Sequence, residues 1–127
     1  MTKGSLTVLV VSDRLPLSHE IAYAFPDDAT VLFERDALKA MQLMSEITPS
    51  VVVMDIRTGN AGGFGLSREM AANERLREIP RLVLIERRQD SWLAQQAGAT
   101  SYRVMPISDG EIVEEALLLV TKEAVPQ

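Results

Sequence analysis

The sequence predicts an α/β fold in which a five-stranded parallel sheet carries helices on both faces. Three observations lead to this prediction. Five short apolar runs recur along the chain, and segments with helical spacing of apolar residues separate them. The length of 127 residues, with 46% hydrophobic and 24% charged residues, fits one globular domain. Strands that alternate with helices form βα units, whose right-handed crossovers build a doubly wound sheet.

The predicted strands are short and mostly continuous in their apolar residues, as expected where both faces of a sheet are covered. The run at 30–33 is shorter and predicts a more peripheral strand. The run at 51–54, three valines and a methionine, is the most strand-like. The five predicted strands cover residues 6–11, 30–33, 51–54, 82–85 and 101–104.

The predicted helices show apolar residues at three- and four-residue spacing. Pro49 follows the second helix, Gly98 ends the fourth, and Ser108 or Asp109 is a suitable N-cap for the fifth. The run from Gly59 to Gly65 holds four glycines in seven residues but lacks the Gly-Lys-Ser/Thr of a phosphate-binding loop, so it predicts a turn before a short third helix. The five predicted helices cover residues 17–25, 37–47, 66–71, 92–97 and 109–120.

Composition excludes several classes of function. The chain has no cysteine, which excludes disulfides, thiolate metal sites and cysteine nucleophiles. Its net charge of −5, without a basic run, argues against nucleic-acid binding. No run of 18 apolar residues is present, so a membrane span is not expected. We therefore expect a cytoplasmic protein of one domain, residues 1–127, with a core at about 6–120.

Functional groups of a doubly wound sheet are expected outside the carboxyl ends of its strands. The residues that follow the first and third predicted strands are Ser12, Asp13 and Asp55. The fourth strand ends at Ile85 and Glu86, and the fifth at Met105 and Pro106. These residues are far apart in the sequence, and the fold predicts that they meet at one edge.

This arrangement resembles the receiver domain of bacterial two-component response regulators over nearly the whole chain, from about Leu6 to Val120. The resemblance implies a flavodoxin-like sheet in the order 2-1-3-4-5, with two helices on one face and three on the other. It also implies a role in signal transduction. The resemblance is carried by the stretches 9–13, 51–56 and 102–107, by Gly63, by Ile79 and Pro80, and by residues 97–99.

The resemblance places the site of phosphorylation at Asp55, which ends the third strand. Receivers carry an acidic pair after the first strand to hold Mg²⁺, and here the pair is Ser12 and Asp13. Asp13, Asp55 and the backbone carbonyl of Arg57 would then hold Mg²⁺, weakly, because one carboxylate is lost. A second interpretation remains open, in which Asp55 and Asp13 are carboxylates that only support the local fold.

Two positions depart from the receiver pattern. Receivers have a serine or threonine at the end of the fourth strand and a lysine before the proline at the end of the fifth, and both contact the phosphoryl group. Here these residues are Ile85 and Met105. No lysine occurs between Lys39 and Lys122, so a shifted register does not restore one. Arg103, two residues before Met105, is the alternative cation.

The resemblance also indicates an interaction surface. Tyr102 matches the aromatic residue that receivers use as a packing switch; Arg103 follows it on the same predicted strand, and Trp92 lies on the neighbouring predicted helix. We therefore expect an atypical, stand-alone receiver that binds a histidine kinase or an effector protein, or forms a homodimer through helix 4, strand 5 and helix 5. The alternative is a conventional phosphorelay receiver phosphorylated on Asp55. Separate enzymatic activity is not expected, because no nucleophile–base pair can be assembled.

Overall fold

The computed structural model describes residues 6–13, 15–56 and 62–124, with the backbone alone for residues 15–19 and 122–124. A short 3₁₀ helix, Arg88–Asp90, precedes the fourth α-helix. The strands and helices alternate as the sequence predicts. In chain order they are β1 (Thr7–Val11), α1 (Leu15–Ala24), β2 (Thr30–Glu34), α2 (Ala37–Leu43), β3 (Val51–Asp55), α3 (Gly62–Ala72), β4 (Arg81–Ile85), α4 (Ser91–Gln96), β5 (Ser101–Val104) and α5 (Asp109–Ala124).

The five strands form one sheet in the order β2-β1-β3-β4-β5, and every pair is parallel. The predicted strand order and flavodoxin-like fold are therefore confirmed. Val8, Leu9, Val10 and Val11 in β1 are buried, as is every residue of the central strands β3 and β4. By contrast, β2 is half exposed, in agreement with its predicted peripheral place. None of the helices within the described residues has the length and hydropathy needed to cross a membrane.

The core has two parts, one on each face of the sheet. One face packs against α1 and α5, through Ile21 of α1, Phe25 directly after it and the apolar stripe of α5. The other face packs against α2, α3 and α4. Because side chains alternate along a strand, Val53 of β3 lies in the first cluster and Met54 in the second. The predicted division into two and three helices is confirmed.

Most element boundaries differ from the prediction by one to four residues, as three examples show. The α2 helix ends at Leu43, and the apolar residues up to Ile47 continue as turns, in which the Ser45 hydroxyl donates a hydrogen bond to the Gln42 carbonyl at 2.6 Å. The α3 helix begins at Gly62, four residues earlier than predicted, so part of the glycine run is helical rather than a turn. The β4 strand begins one residue early, at Arg81.

Arg81 is buried, with 6% of its surface exposed, at the amino end of β4. Its guanidinium donates to the Gly98 carbonyl from Nε at 3.2 Å and from Nη2 at 2.7 Å. Its Nη1 donates to the carbonyls of Ile79 at 2.9 Å and Arg77 at 3.3 Å. These bonds tie the turns before β4 and β5 together, which is how a buried cation is tolerated here.

Candidate functional site at the carboxyl edge of the sheet

The carboxyl ends of the four strands β1, β3, β4 and β5 meet at one edge of the sheet. Val11 is opposite Met54, so the next residues, Ser12 and Asp55, are neighbours across β1 and β3. Asp55 is opposite Leu84 of β4. The Met105 amide donates to the Ile85 carbonyl at 2.7 Å, which places Met105 next to the end of β4. The structure thus brings together the residues that the sequence placed at this edge.

Asp55 and Ser12 are buried side by side on the face covered by α1 and α5. Only 3% of Asp55 and 2% of Ser12 is exposed. Residues two apart on a strand share a face, so Asp55 lies on the face of Val53 and Ser12 on the face of Val10. Both valines belong to the cluster that packs against α1 and α5. Met105 packs against the same cluster. A carboxylate, a hydroxyl and a thioether therefore share this end of the sheet.

Ile85 lies on the opposite face. It is completely buried in the cluster formed with α2, α3 and α4, against which Tyr102 and Val104 also pack. The sequence placed Ile85 at the site because of its position at the strand end, and the register confirms that position. Its side chain, however, is a member of the core and contributes no polar group to the edge.

The carboxylates at this edge can be compared with the requirements of Mg²⁺. Asp13 is exposed in the bend after Ser12, and Asp55 ends the neighbouring strand. Mg²⁺ in proteins uses one or two carboxylates and retains several waters, so these two residues fit a weak site. Arg57, whose carbonyl was the third predicted ligand, lies outside the described residues. Within those residues, no group of three or more histidine, aspartate or glutamate side chains could hold a metal ion.

The start of α3 packs directly on the backbone of Asp55. The Gly63 amide donates to the Ile56 carbonyl at 3.2 Å. A Cβ atom on Gly63 would lie 2.9 Å from the Asp55 carbonyl carbon and 2.9 Å from the Ile56 Cα, which is too close for any side chain. Gly62 adopts a positive φ of 69°. The sequence marked Gly63 only through the resemblance, and its close approach to Asp55 requires the folded structure.

Arg103 does not take the place of the missing lysine. Its Nη2 donates to Glu115 Oε1 of α5 at 2.6 Å, and its Nη1 donates to the Tyr102 carbonyl at 2.7 Å. The Ser101 hydroxyl donates to the other Glu115 oxygen at 2.7 Å. The suggestion that Arg103 serves Asp55 is therefore wrong for this structure, because Glu115 holds the guanidinium against α5.

A shallow depression of about 380 Å³ lies beyond the ends of β4 and β5. It is lined by Glu86, Arg87, Met105 and Pro106. Arg87 also pairs with Asp90 at 3.2 Å. The Met105–Pro106 peptide bond is cis. No described residue of this lining offers a lysine or a hydroxyl.

The predicted interaction residues lie on α4 and β5. Tyr102 is half-buried against the cluster of α2, α3 and α4. Trp92 is 62% exposed and Leu93 37% exposed, and both lie on α4. Leu118 on α5 is 52% exposed. Clustered large apolar side chains in solvent are typical of protein-binding surfaces.

Comparisons by sequence find no relative: no family model and no curated protein matches this chain. Comparisons by structure find several proteins of similar fold. The signal receiver domain of a histidine kinase from Syntrophus aciditrophicus is 17% identical, with a TM-score of 0.87 over 97% of this chain and 96% of that one. The chemotaxis response regulator CheY4 of Vibrio cholerae is 19% identical, with a TM-score of 0.81 over 91% and 98%.

A third structure is the receiver domain of a sensor histidine kinase from Pseudomonas aeruginosa, which has a magnesium ion coordinated in its active-site cleft. It is 21% identical, with a TM-score of 0.82 over 93% of this chain and 99% of that one. These matches cover nearly the full length of both chains. The chain has the fold of the receiver domains of two-component signalling proteins.

Proposed function

We propose that this chain is an atypical receiver in signal transduction, which acts by binding another protein and responds weakly or not at all to phosphorylation. The fold of receiver domains and the position of Asp55 at the end of β3 support the signalling role. One observation supports the atypical character. The ends of β4 and β5 carry Ile85 and Met105, where a phosphoryl group on Asp55 would need a hydroxyl and a cation.

The physical argument concerns the energy available for switching. A covalent modification shifts an equilibrium only through contacts that differ between the two states. Neither an aliphatic chain nor a thioether can donate a hydrogen bond to a phosphoryl oxygen. Each charge-assisted hydrogen bond contributes about 1.5–3 kcal/mol, so the loss of two removes most of the driving force. Arg103 does not compensate for this loss, because Glu115 holds it on α5.

The second candidate function is a conventional phosphorelay receiver. It is favoured by the position of Asp55 beside Ser12. Among the described residues, Ser12 carries the only hydroxyl at the ends of β1, β3, β4 and β5. In this alternative a histidine kinase donates the phosphoryl group to Asp55. Mg²⁺, held by Asp13, Asp55 and the Arg57 carbonyl, would neutralise the charge of the transferred group.

A partner protein is part of the proposal in both cases. The exposed Trp92 and Leu93 on α4 and Leu118 on α5 offer apolar area that an isolated domain leaves in water. A histidine kinase, an effector protein or a second copy of the chain could cover this face. The domain itself would then produce the signalling output by binding its partner, without enzymatic activity of its own.

The experiment that separates the two functions is the intact mass after incubation with Mg²⁺ and acetyl phosphate. The atypical receiver predicts little or no gain of phosphoryl mass. A conventional receiver predicts a gain of one phosphoryl group that is absent from Asp55→Asn. Asp13→Asn serves as the second control, because it removes the other carboxylate without removing the acceptor.

A further inference from the structure

We propose that a groove between α3 and α4 docks an acidic segment of the partner protein, with an apolar side chain of that segment as its anchor. The inference rests on the proposed function, which requires a protein partner, and it names the chemistry of that partner. The groove has a volume of about 290 Å³. It is lined by Arg68, Ala71, Ala72, Gln95, Gln96 and Gly98, among others.

The floor of the groove suits an apolar side chain. Ala71 and Ala72 at the end of α3 leave room, and Gly98, with φ of 81°, adds none of the bulk of a side chain. The carbonyls at the end of α4 already have partners. The Ser67 hydroxyl donates to Ala97 at 2.7 Å, and the Arg81 guanidinium donates to Gly98. An apolar side chain bound in the groove would therefore desolvate few polar groups that lack a hydrogen-bond partner.

Trp92 extends the groove along α4. It precedes Gln95 and Gln96 by three and four residues, so these side chains share one stripe of the helix. With 62% of its surface exposed, Trp92 is the largest apolar side chain in solvent on this side of the domain. Tryptophan is enriched among residues that dominate binding energy at protein interfaces.

Guanidinium groups stand at both ends of this stripe. Arg88 precedes Trp92 by four residues, and Arg68 lines the groove from α3. Arg68 lies over the Phe64 ring, 5.8 Å from its centroid, and neither arginine has an ion pair within the described residues. From residue 62 to residue 98 the sequence holds six arginines and five aspartates or glutamates, and of these Asp90 pairs with Arg87.

The surplus of positive charge is local. The whole chain carries a net charge of −5, and α5 alone contributes Asp109, Glu111, Glu114 and Glu115. An acidic ligand is therefore repelled by most of the surface and attracted to the groove. This difference orients the ligand as it binds and favours acidic partners over others. A partner segment with glutamate or aspartate on either side of a leucine or similar side chain matches both features.

The chain provides its own reporter, because Trp92 is its only tryptophan. The experiment titrates the protein with a synthetic helical peptide that carries leucines at three- and four-residue spacing and glutamates at the other positions. Analogues with glutamine or lysine in place of glutamate test the charge. We expect a blue shift of the Trp92 emission with the glutamate peptide and weaker binding of both analogues. The affinity should fall as salt rises.

Variants locate the binding site. Arg68→Gln and Arg88→Gln should each weaken binding about 2- to 5-fold, as expected of exposed ion pairs. Ala72→Glu, at an exposed position, adds a repelling carboxylate to the groove and should weaken it further. Arg35→Gln, an exposed arginine between β2 and α2, is the control and should bind as the unmodified protein does.

Three results would overturn the proposal: no change in Trp92 emission up to millimolar peptide, equal binding of the glutamine analogue, or loss of binding in Arg35→Gln as large as in the groove variants. Tighter binding of a single-stranded oligonucleotide than of the acidic peptide would also overturn it, since the partner would then be a nucleic acid. None of these results bears on phosphorylation of Asp55, which the intact-mass experiment tests separately.

Discussion

Gly63 packs its Cα against the backbone of Asp55, so closely that a Cβ atom would lie 2.9 Å from the Asp55 carbonyl carbon. The first turn of α3 is thereby seated on the residue that ends β3. The position of Asp55 at the edge of the sheet consequently depends on a residue without a side chain, eight positions later in the sequence.

The first prediction concerns Gly63→Ala. The added methyl group must displace the start of α3 or the end of β3, and overpacking of this kind costs about 1–3 kcal/mol in the free energy of unfolding. The matched control is Gly110→Ala in α5, where a Cβ atom would meet nothing within 4 Å. That change should leave the free energy of unfolding nearly unchanged or raise it by up to about 0.5 kcal/mol, because glycine is unfavourable in a helix and Gly110 lies in the first turn. Urea denaturation of both variants is the measurement, and equal effects would contradict the close approach.

The second prediction concerns Mg²⁺. Because Asp13 and Asp55 are the carboxylates at the ends of β1 and β3, we expect a dissociation constant in the millimolar range or weaker, by the general demand of Mg²⁺ for octahedral oxygen ligands. Ser12→Asp should tighten binding by restoring an acidic pair. Isothermal titration measures this, with Ser45→Asp, at an exposed position, as the control for added charge. Tight binding by the unmodified protein would contradict the prediction.

The third prediction concerns the response to phosphorylation. Amide NMR shifts of residues 86–106 should be nearly the same before and after treatment with a phosphodonor. The double variant Ile85→Thr with Met105→Lys should respond, because it supplies a hydroxyl and a cation for the phosphoryl group. Large shifts in the unmodified protein that vanish in Asp55→Asn would establish a conventional receiver instead.

The fourth prediction concerns Glu115, which accepts hydrogen bonds from Ser101 and Arg103 and so ties α5 to β5. Glu115→Ala should lower the free energy of unfolding by about 1–2 kcal/mol, since bonds to a charged acceptor are lost at a site that is partly in solvent. Glu114→Ala, next in the sequence and exposed, is the control and should change stability little. A cost as large in the control would show that helix propensity, rather than the tie to β5, is responsible.

The sequence predicted the strand order and the meeting of Ser12, Asp55, Ile85 and Met105 at one edge, because apolar runs and their alternation with helices reflect the packing of the whole sheet. The interaction surface at Trp92 stays a prediction, which required an exposed apolar side chain there, and Trp92 is 62% exposed. The positions of strands depend on patterns that extend over many residues. Such patterns are visible in a single sequence.

Other features depend on contacts between distant residues. The sequence marks Arg81 only as a charged residue before an apolar run, although carbonyls of two turns surround its guanidinium in the fold. Arg103 was considered for the site because it precedes Met105 on the same strand, and its pairing with Glu115, 12 residues later, is a tertiary contact. The early start of α3 was missed because glycines are poor helix formers, and the close approach to Asp55 overrides that preference.

The Arg81 cluster lies at the amino end of β4, and the candidate site lies at the opposite end of the same strand. Its four hydrogen bonds hold the turns before β4 and β5 without any contribution from Ile85 or Met105. Mutations at the carboxyl edge therefore need not disturb the contacts that fix these strands. Substitutions at residues 85 and 105 are therefore expected to leave the anchoring of both strands at their amino ends intact.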